Sequence, residues 1–303
     1  MADKKRIKML FIYNPRSGRG EITQALPDIL WRFTSYGYDV TVHPTLAREE
    51  GQEFIGSYAG DCDLIVTCGG DGMLHELFAG MLENRSDLPC GYIPCGTVND
   101  FASSLMISKN PIEAVETVIN GKVKEIDAGV FNGHIFSYVA AFGLFTKASY
   151  STDQTLKNLF GFAAYLLEIV KTTDLIHFGD MSVHASVTVA DKTYEDDFIF
   201  GFAGNTLSVG GLTNIVPSQA QMNDGLLDLM FVKTPRSLQD LDAISKAFVN
   251  RDLDSPMILS LQAPRVKVRM EKETEWTLDG EYGGKYSDIS IGVINKAVKI
   301  LCP

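Results

Sequence analysis

The strongest constraint on this chain is a change of texture a little past residue 120. Before it, strand-like stretches at 7–14, 38–43, 64–68 and 91–94 alternate with helix-like stretches at 22–36, 48–58, 74–82 and 112–119, joined by short polar or glycine-bearing links. That alternation predicts an open, mostly parallel α/β sheet with flanking helices. After about Asp127 the segments 181–190, 197–204, 226–232, 263–270 and 289–293 are β-branched or alternate apolar with polar, which predicts a β-rich, antiparallel, sandwich-like domain. Helices are expected within it at 154–172 and 237–249, the second opened by Pro235 and a Ser237 cap with Asp240 three residues on. The expected division is 1–125 and 126–295, with a last strand within 296–303 returning to the first domain.

A length of 303 residues suits two such domains. Lys and Arg number 27 against 38 Asp and Glu, a net charge of −11, whereas nucleic-acid binding calls for cations to neutralise phosphates. A nucleic-acid partner is therefore disfavoured. Five cysteines, odd in number and without a C-x-x-C pair, fit reduced thiols in the cytoplasm. The basic start Lys4-Lys5-Arg6 is followed by too short an apolar run for a secretory signal, and 159–170 is too short and too interrupted, by Glu168, to span a bilayer.

Three loops carry chemistry. Asn14-Pro15-Arg16-Ser17-Gly18-Arg19-Gly20 falls where the first strand should end and the first helix begin, a junction whose N–H groups and helix dipole favour phosphate. By itself it also reads as a turn with solvated arginines. Cys68-Gly69-Gly70-Asp71-Gly72-Met73 follows the apolar run 64–66, at the strand end where open α/β sheets bind ligands. Its glycines admit close backbone approach, and Asp71 offers a hard oxygen suited to Mg²⁺. Pro94-Cys95-Gly96-Thr97-Val98-Asn99-Asp100-Phe101-Ala102 offers a hydroxyl, a carboxamide and a carboxylate, which serve equally as ligand contacts or as a helix N-cap.

Together, N-P-x-S-G, G-G-D-G and P-x-G-T-x-N-D-F-A in this order resemble the catalytic domain of the diacylglycerol kinase family, in its bacterial soluble branch related to sphingosine and ceramide kinases. The resemblance runs over nearly the whole chain, because Asp127, Asn223-Asp224-Gly225-Leu226-Leu227-Asp228 and Asp279-Gly280-Glu281 match later signatures. It implies an NAD-kinase-like first domain with an ATP site formed by Asn14, Pro15, Arg16, Ser17, Gly18, Arg19, Thr45, Gly69, Gly70, Asp71, Gly72, Met73, Leu74, His75, Glu76, Thr97, Asn99 and Asp100. It further implies Asp71 and Asp127 as organisers of Mg²⁺ and phosphate, Glu281 as general base for the lipid hydroxyl, and a structural Mg²⁺ at Gln221, Asp224 and the backbone of Leu226. Met73 stands where threonine is usual in the family and His75 where asparagine is common.

The expected activity is ATP- and Mg²⁺-dependent phosphorylation of a hydroxyl on diacylglycerol or a related lipid, by a cytoplasmic enzyme that touches membranes transiently. The family also gives an expectation of a homodimer. Arg265, Lys267 and Arg269 alternate with apolar residues, so one strand face presents three cations to solvent or to anionic headgroups. The 159–170 stretch would pack on the second sheet or cover an acyl-chain pocket. Rival readings are an NAD kinase, which shares G-G-D-G without the third motif, and a non-catalytic lipid- or nucleotide-binding regulator, which would not need Asp71, Asp127 and Glu281 intact.

Overall fold

The computed structural model describes residues 6–96, 99–143, 179, 182–205, 208–209, 212–213, 221–250 and 253–303. Thr97, the helix expected at 154–172 and the 159–170 stretch lie outside the described residues, as do the side chains of Arg19 and Asp100. The chain divides into two compact units, Met1–Ala128 with Lys296–Pro303, and Gly129–Asn295.

The first unit is built on β1 (Ile7–Tyr13), β2 (Tyr38–Pro44), β3 (Leu64–Gly69), β4 (Pro89–Pro94) and the end of β15 (Glu281–Cys302). β1 pairs in parallel with β2 and β3, β3 with β4, and β4 with β15 through Pro89↔Lys299 and Cys90↔Ile300. Every residue of β3 is buried, as a strand covered on both faces requires. The covering helices are α1 (Glu21–Ser35), α2 (Glu50–Tyr58), α3 (Asp71–Glu83), α4 (Asp100–Ser104) and α5 (Pro111–Asn120). Ile22, Ile29 and Phe33 of α1 and Leu74, Leu77 and Phe78 of α3 are fully buried, and Phe78 meets Phe101 of α4 edge to face at 5.4 Å. α5 starts where its chemistry says it should: Asn110 Oδ1 accepts from Ile112 N (2.9 Å), and Pro111 occupies the first turn without wasting a donor.

Two helices depart from expectation. α3 begins at Asp71 rather than at 74, inside the glycine motif, because Gly70 is an extended N-cap and an acidic residue in the first turn favours the positive helix end. α4 follows Asn99, within the run that also read as a helix N-cap.

The second unit is antiparallel. Its strands run in the order β13 (Ile258–Ala263), β12 (Leu227–Lys233), β9 (Lys192–Gly204), β7 (Val139–Gly143), β14 (Arg265–Leu278), then the first part of β15. β8 (Val183–Val189) pairs with both β9 and β14, and β5 (Lys122–Phe131) pairs with the short β6 (His134–Phe136) at Gly129↔Phe136. A separate two-stranded ladder joins β10 (Ser208–Val209) to β11 (Leu212–Thr213). Among the described residues of this unit one helix is present, α6 (Leu238–Asn250), where Ser237 Oγ accepts from Asp240 N and Asp240 Oδ2 accepts from Ser237 N, a reciprocal cap. The core is aromatic: Trp276 lies 5.0 Å from Phe131 and 4.8 Å from Phe142, ring centre to ring centre, and Phe198 packs on Phe231.

β14 and β15 extend well beyond the expected 263–270 and 289–293, to 14 and 22 residues. Their pairing is interrupted by register shifts at Arg269/Thr274 and Trp276/Thr277 and resumes beyond each.

Candidate functional site

In the first unit the loops that follow β1, β3 and β4 meet backbone to backbone. Asn14 N donates to Cys68 O (3.0 Å), and Cys95 N to Gly69 O (2.8 Å). A methyl group on Gly18 would stand 2.0 Å from Cys95 O, and one on Gly96 would stand 2.5 Å from the Gly70 Cα. Both distances are far below contact, so glycine is required there by proximity. Gly18 also holds φ +54°, in the left-handed region.

Polar side chains fasten the loops together. Asn99, itself at φ 55°, closes a ring on the third loop: Gly96 N donates to its Oδ1 (3.0 Å) and its Nδ2 donates to Gly96 O (2.7 Å). Asn99 N in turn donates to Asp71 Oδ2 (3.2 Å), which ties the third loop to the first residue of α3. Tyr92 Oη donates to Gly69 O (3.1 Å) from beneath; burial, then the negative Asp71, hold its hydroxyl well above the usual phenol range, so it stays a donor. In the first loop Asn14 Oδ1 accepts from Arg16 N (2.8 Å), and a 3₁₀ turn over Ser17–Gly20 leads into α1. Arg16 is exposed, Asn14, Pro15 and Ser17 are half-buried, and Gly72 is exposed.

Several implied ATP-site residues have structural duties. Thr45 is buried at the end of β2, where its N–H donates to Tyr13 O (2.9 Å) and its hydroxyl faces Met73 Sδ at 3.9 Å. Met73 is buried below Gly69, so the residue that replaces the family's threonine fills apolar space. Leu74 belongs to the core, His75 is half-buried, and Glu76 accepts from Glu49 N and from Gly51 N (2.8 Å), holding the start of α2.

Asp127 is fully buried in β5, and its Oδ1 accepts from Lys296 N at 2.6 Å, where Lys296 takes φ +53°. The carboxylate thus pins the point at which β15 re-enters the first unit. In the second unit Asp224 is exposed, with Oδ1 accepting from Leu226 N (2.9 Å) in a tight turn that uses Gly225 at φ +76°. Gln221 is exposed and Leu226 half-buried. Glu281 is exposed and opens β15 opposite Leu278, across the two-residue turn Asp279-Gly280.

Sequence reasoning missed Tyr92 and the pair Cys68 and Cys95, whose sulfurs stand 3.0 Å apart beneath the loops. Burial, followed by the neighbouring Cys95, pushes the Cys68 thiol well up. Tyr92 reads as an ordinary strand residue, and nothing in the two glycine motifs signals that their cysteines face each other.

Clustered glycine loops at strand ends, with an aspartate opening the third helix, put backbone N–H groups and a carboxylate at one end of a parallel sheet, in the first of two units. Residues 8–131 match the diacylglycerol kinase catalytic domain, and residues 139–302 match the YegS C-terminal NAD kinase beta sandwich-like domain. A diacylglycerol kinase of Bacillus subtilis is 32% identical over 277 residues, covering 90% of this chain and 89% of the relative, and one of Staphylococcus haemolyticus is 28% identical over 90% and 82%. The crystal structure of a diacylglycerol kinase from Bacillus anthracis has the same fold, with a TM-score of 0.77 at 22% identity over 99% of this chain and 98% of that one. The chain belongs to the diacylglycerol kinase family.

Proposed function

We propose that this chain is a lipid kinase that moves the γ-phosphoryl group of ATP, with Mg²⁺, onto the free hydroxyl of diacylglycerol or a closely related lipid. The observation that carries the reading is the convergence of the three glycine loops with Asp71 at the N-terminus of α3. Phosphoryl transfer asks mainly for positioning and charge neutralisation. Backbone N–H groups at the starts of α1 and α3 would hold phosphate oxygens, and the exposed Arg16 would balance their charge.

Asp71 and Asp127 are hard-oxygen donors of the type Mg²⁺ accepts, and Asp71 stands at the N-terminus of α3 where the third loop, through Asn99 N, is tied to it. Bound there, Mg²⁺ would neutralise the phosphate oxygens. Asp224, with Gln221 and the Leu226 backbone, would take a second, structural Mg²⁺. Glu281 would accept the proton of the lipid hydroxyl as its oxygen bonds to the γ-phosphorus and the bond to the ADP oxygen breaks.

Among the described residues no helix is long and apolar enough to cross a membrane. The lipid would be met by peripheral, transient contact, for which the exposed Arg265, Lys267 and Arg269 on one face of β14 offer cations to anionic headgroups. Transfer of labelled γ-phosphate to diacylglycerol, phosphatidylglycerol, monoacylglycerol, ceramide and NAD in mixed micelles tests the reading. A labelled lipid supports it and names the acceptor. Label in NAD alone, or none at all with ATP bound, overturns it in favour of an NAD kinase or a regulator.

A further inference from the structure

The turn between β14 and β15 consists of Asp279 and Gly280, with φ +51° and +83°, the arrangement that two-residue hairpin turns favour and that Asp-Gly adopts without outside help. Such a turn usually leaves the aspartate in water. Here Asp279 is only 6% exposed, and each carboxylate oxygen accepts two hydrogen bonds. Oδ2 accepts from Ser137 N (2.7 Å) and Ser137 Oγ (2.9 Å), and Oδ1 from Tyr138 N (2.9 Å) and Val139 N (3.1 Å). Asp279 N returns a bond to Val139 O (2.8 Å). Three successive N–H groups pointing at one carboxylate form an anion nest, here filled by the protein's own side chain.

This anchor exceeds what the hairpin needs. The strand that enters the turn is already laddered to β7 through Trp276↔Phe142, Thr277↔Ala141 and Leu278↔Ala140. What the nest adds is a fixed tip, and the residue that leaves the tip is Glu281, whose side chain is exposed. Ser137 is fully buried, so its hydroxyl is committed to the same contact.

We propose that Asp279 and Ser137 are positioning residues for the phosphoryl transfer, locking the hairpin tip so that the Glu281 carboxylate is held where it takes the proton from the lipid hydroxyl. Neither touches substrate. Their effect runs through the backbone of Gly280 to Glu281, and an error of about 1 Å in a reacting group costs on the order of a hundredfold in rate. The inference rests on the reading of Glu281 as base.

The test is kcat and the KM for ATP, with diacylglycerol in mixed micelles, for Asp279→Asn and Ser137→Ala, each alone and combined with Glu281→Ala. In Asp279→Asn the NH₂ must face at least one backbone N–H in either orientation, Ser137 N or the pair Tyr138 N and Val139 N, which loosens the tip. The expected result is a kcat about a hundredfold lower with the KM for ATP within twofold. Ser137→Ala keeps all three backbone bonds, is expected to fold normally and loses several-fold in kcat, so it carries the test where Asp279→Asn does not fold. On the Glu281→Ala background both substitutions leave the residual rate unchanged, since there is no base left to position. A further drop by the same factor on that background means a merely structural role and overturns the proposal. So does full kcat in a folded Asp279→Asn while Glu281→Ala is inactive. Turnover retained by Glu281→Ala itself withdraws the base, and the positioning role with it.

Discussion

The two units hold their loops and turns still by opposite means. The loops of the first unit are held by contact between main chains, at places where a single methyl group would collide: Gly18 against Cys95 O, Gly96 against the Gly70 Cα. In the second unit the hairpin that bears Glu281 is held by one buried carboxylate that gathers four hydrogen bonds from Ser137, Tyr138 and Val139. Close approach is written locally, as glycine. A carboxylate anchor is written twice, in segments some 140 residues apart, and one of them, the Ser137–Val139 backbone, has no side-chain signature for its N–H groups.

The comparison breaks most decisively at Glu281. Glu281→Ala is expected to lower kcat by roughly 10²–10⁴-fold, the usual contribution of a general base, with ATP affinity nearly intact by isothermal titration. Wild-type turnover in a folded mutant would move the chemistry out of the second unit.

Gly96→Ala sharpens the other half. Its new Cβ meets backbone, which cannot rotate away, so the substitution is expected to cost about 1–3 kcal/mol in chemical denaturation and to raise the KM for ATP. Unchanged stability and KM would mean that the loops are not held by contact.

Asp127 belongs to the first unit but behaves like the anchor of the second. Asp127→Ala removes a fully buried side chain and takes the acceptor from the Lys296 N–H, and is expected to lower stability by about 1–3 kcal/mol in a urea titration. An inactive variant of full stability would make Asp127 a phosphate-site residue alone.

The smallest effect belongs to the outer face of the second unit, where carboxylates bind in water. His184 donates to Asp197 (2.9 Å) and Glu195 (3.1 Å), and hydrogen bonds to Asp197 first, then Glu195, raise its pKa above the ordinary histidine value. The folded form holds the proton more tightly than the unfolded one, so the stabilisation is complete below about pH 6.5 and is lost as the pH rises through the folded-state pKa. The melting temperatures of wild type and His184→Gln should differ most below pH 6.5 and converge only as the pH rises past the raised folded-state pKa. A gap that is independent of pH would remove the imidazolium from the account.

Much of the first unit was legible in the sequence, because parallel strands buried on both faces read as apolar runs, and loops at their ends announce themselves through glycine. Even there α3 begins three residues earlier than periodicity predicts, since the cap at Gly70 and the charge of Asp71 act before the apolar stripe starts. In the second unit the strand segments were visible, but not their length, because β14 resumes its pairing with β15 at Thr274 and Glu275, after a register shift, among residues whose composition reads as polar.

The candidate site divides along the same line. Residue types and spacing were enough for the chain to declare three glycine loops with Asp71, whereas Asp127, Asp224 and Glu281 stood out only through the resemblance to the family. Only the tertiary structure decided that Met73, Leu74 and Glu76 serve packing and the start of α2, that Asp127 pins Lys296, and that Asp279 anchors the tip beside Glu281. The physical reason is that a glycine is needed for what its own backbone does, whereas a buried carboxylate is needed for donors that the fold delivers from elsewhere in the chain.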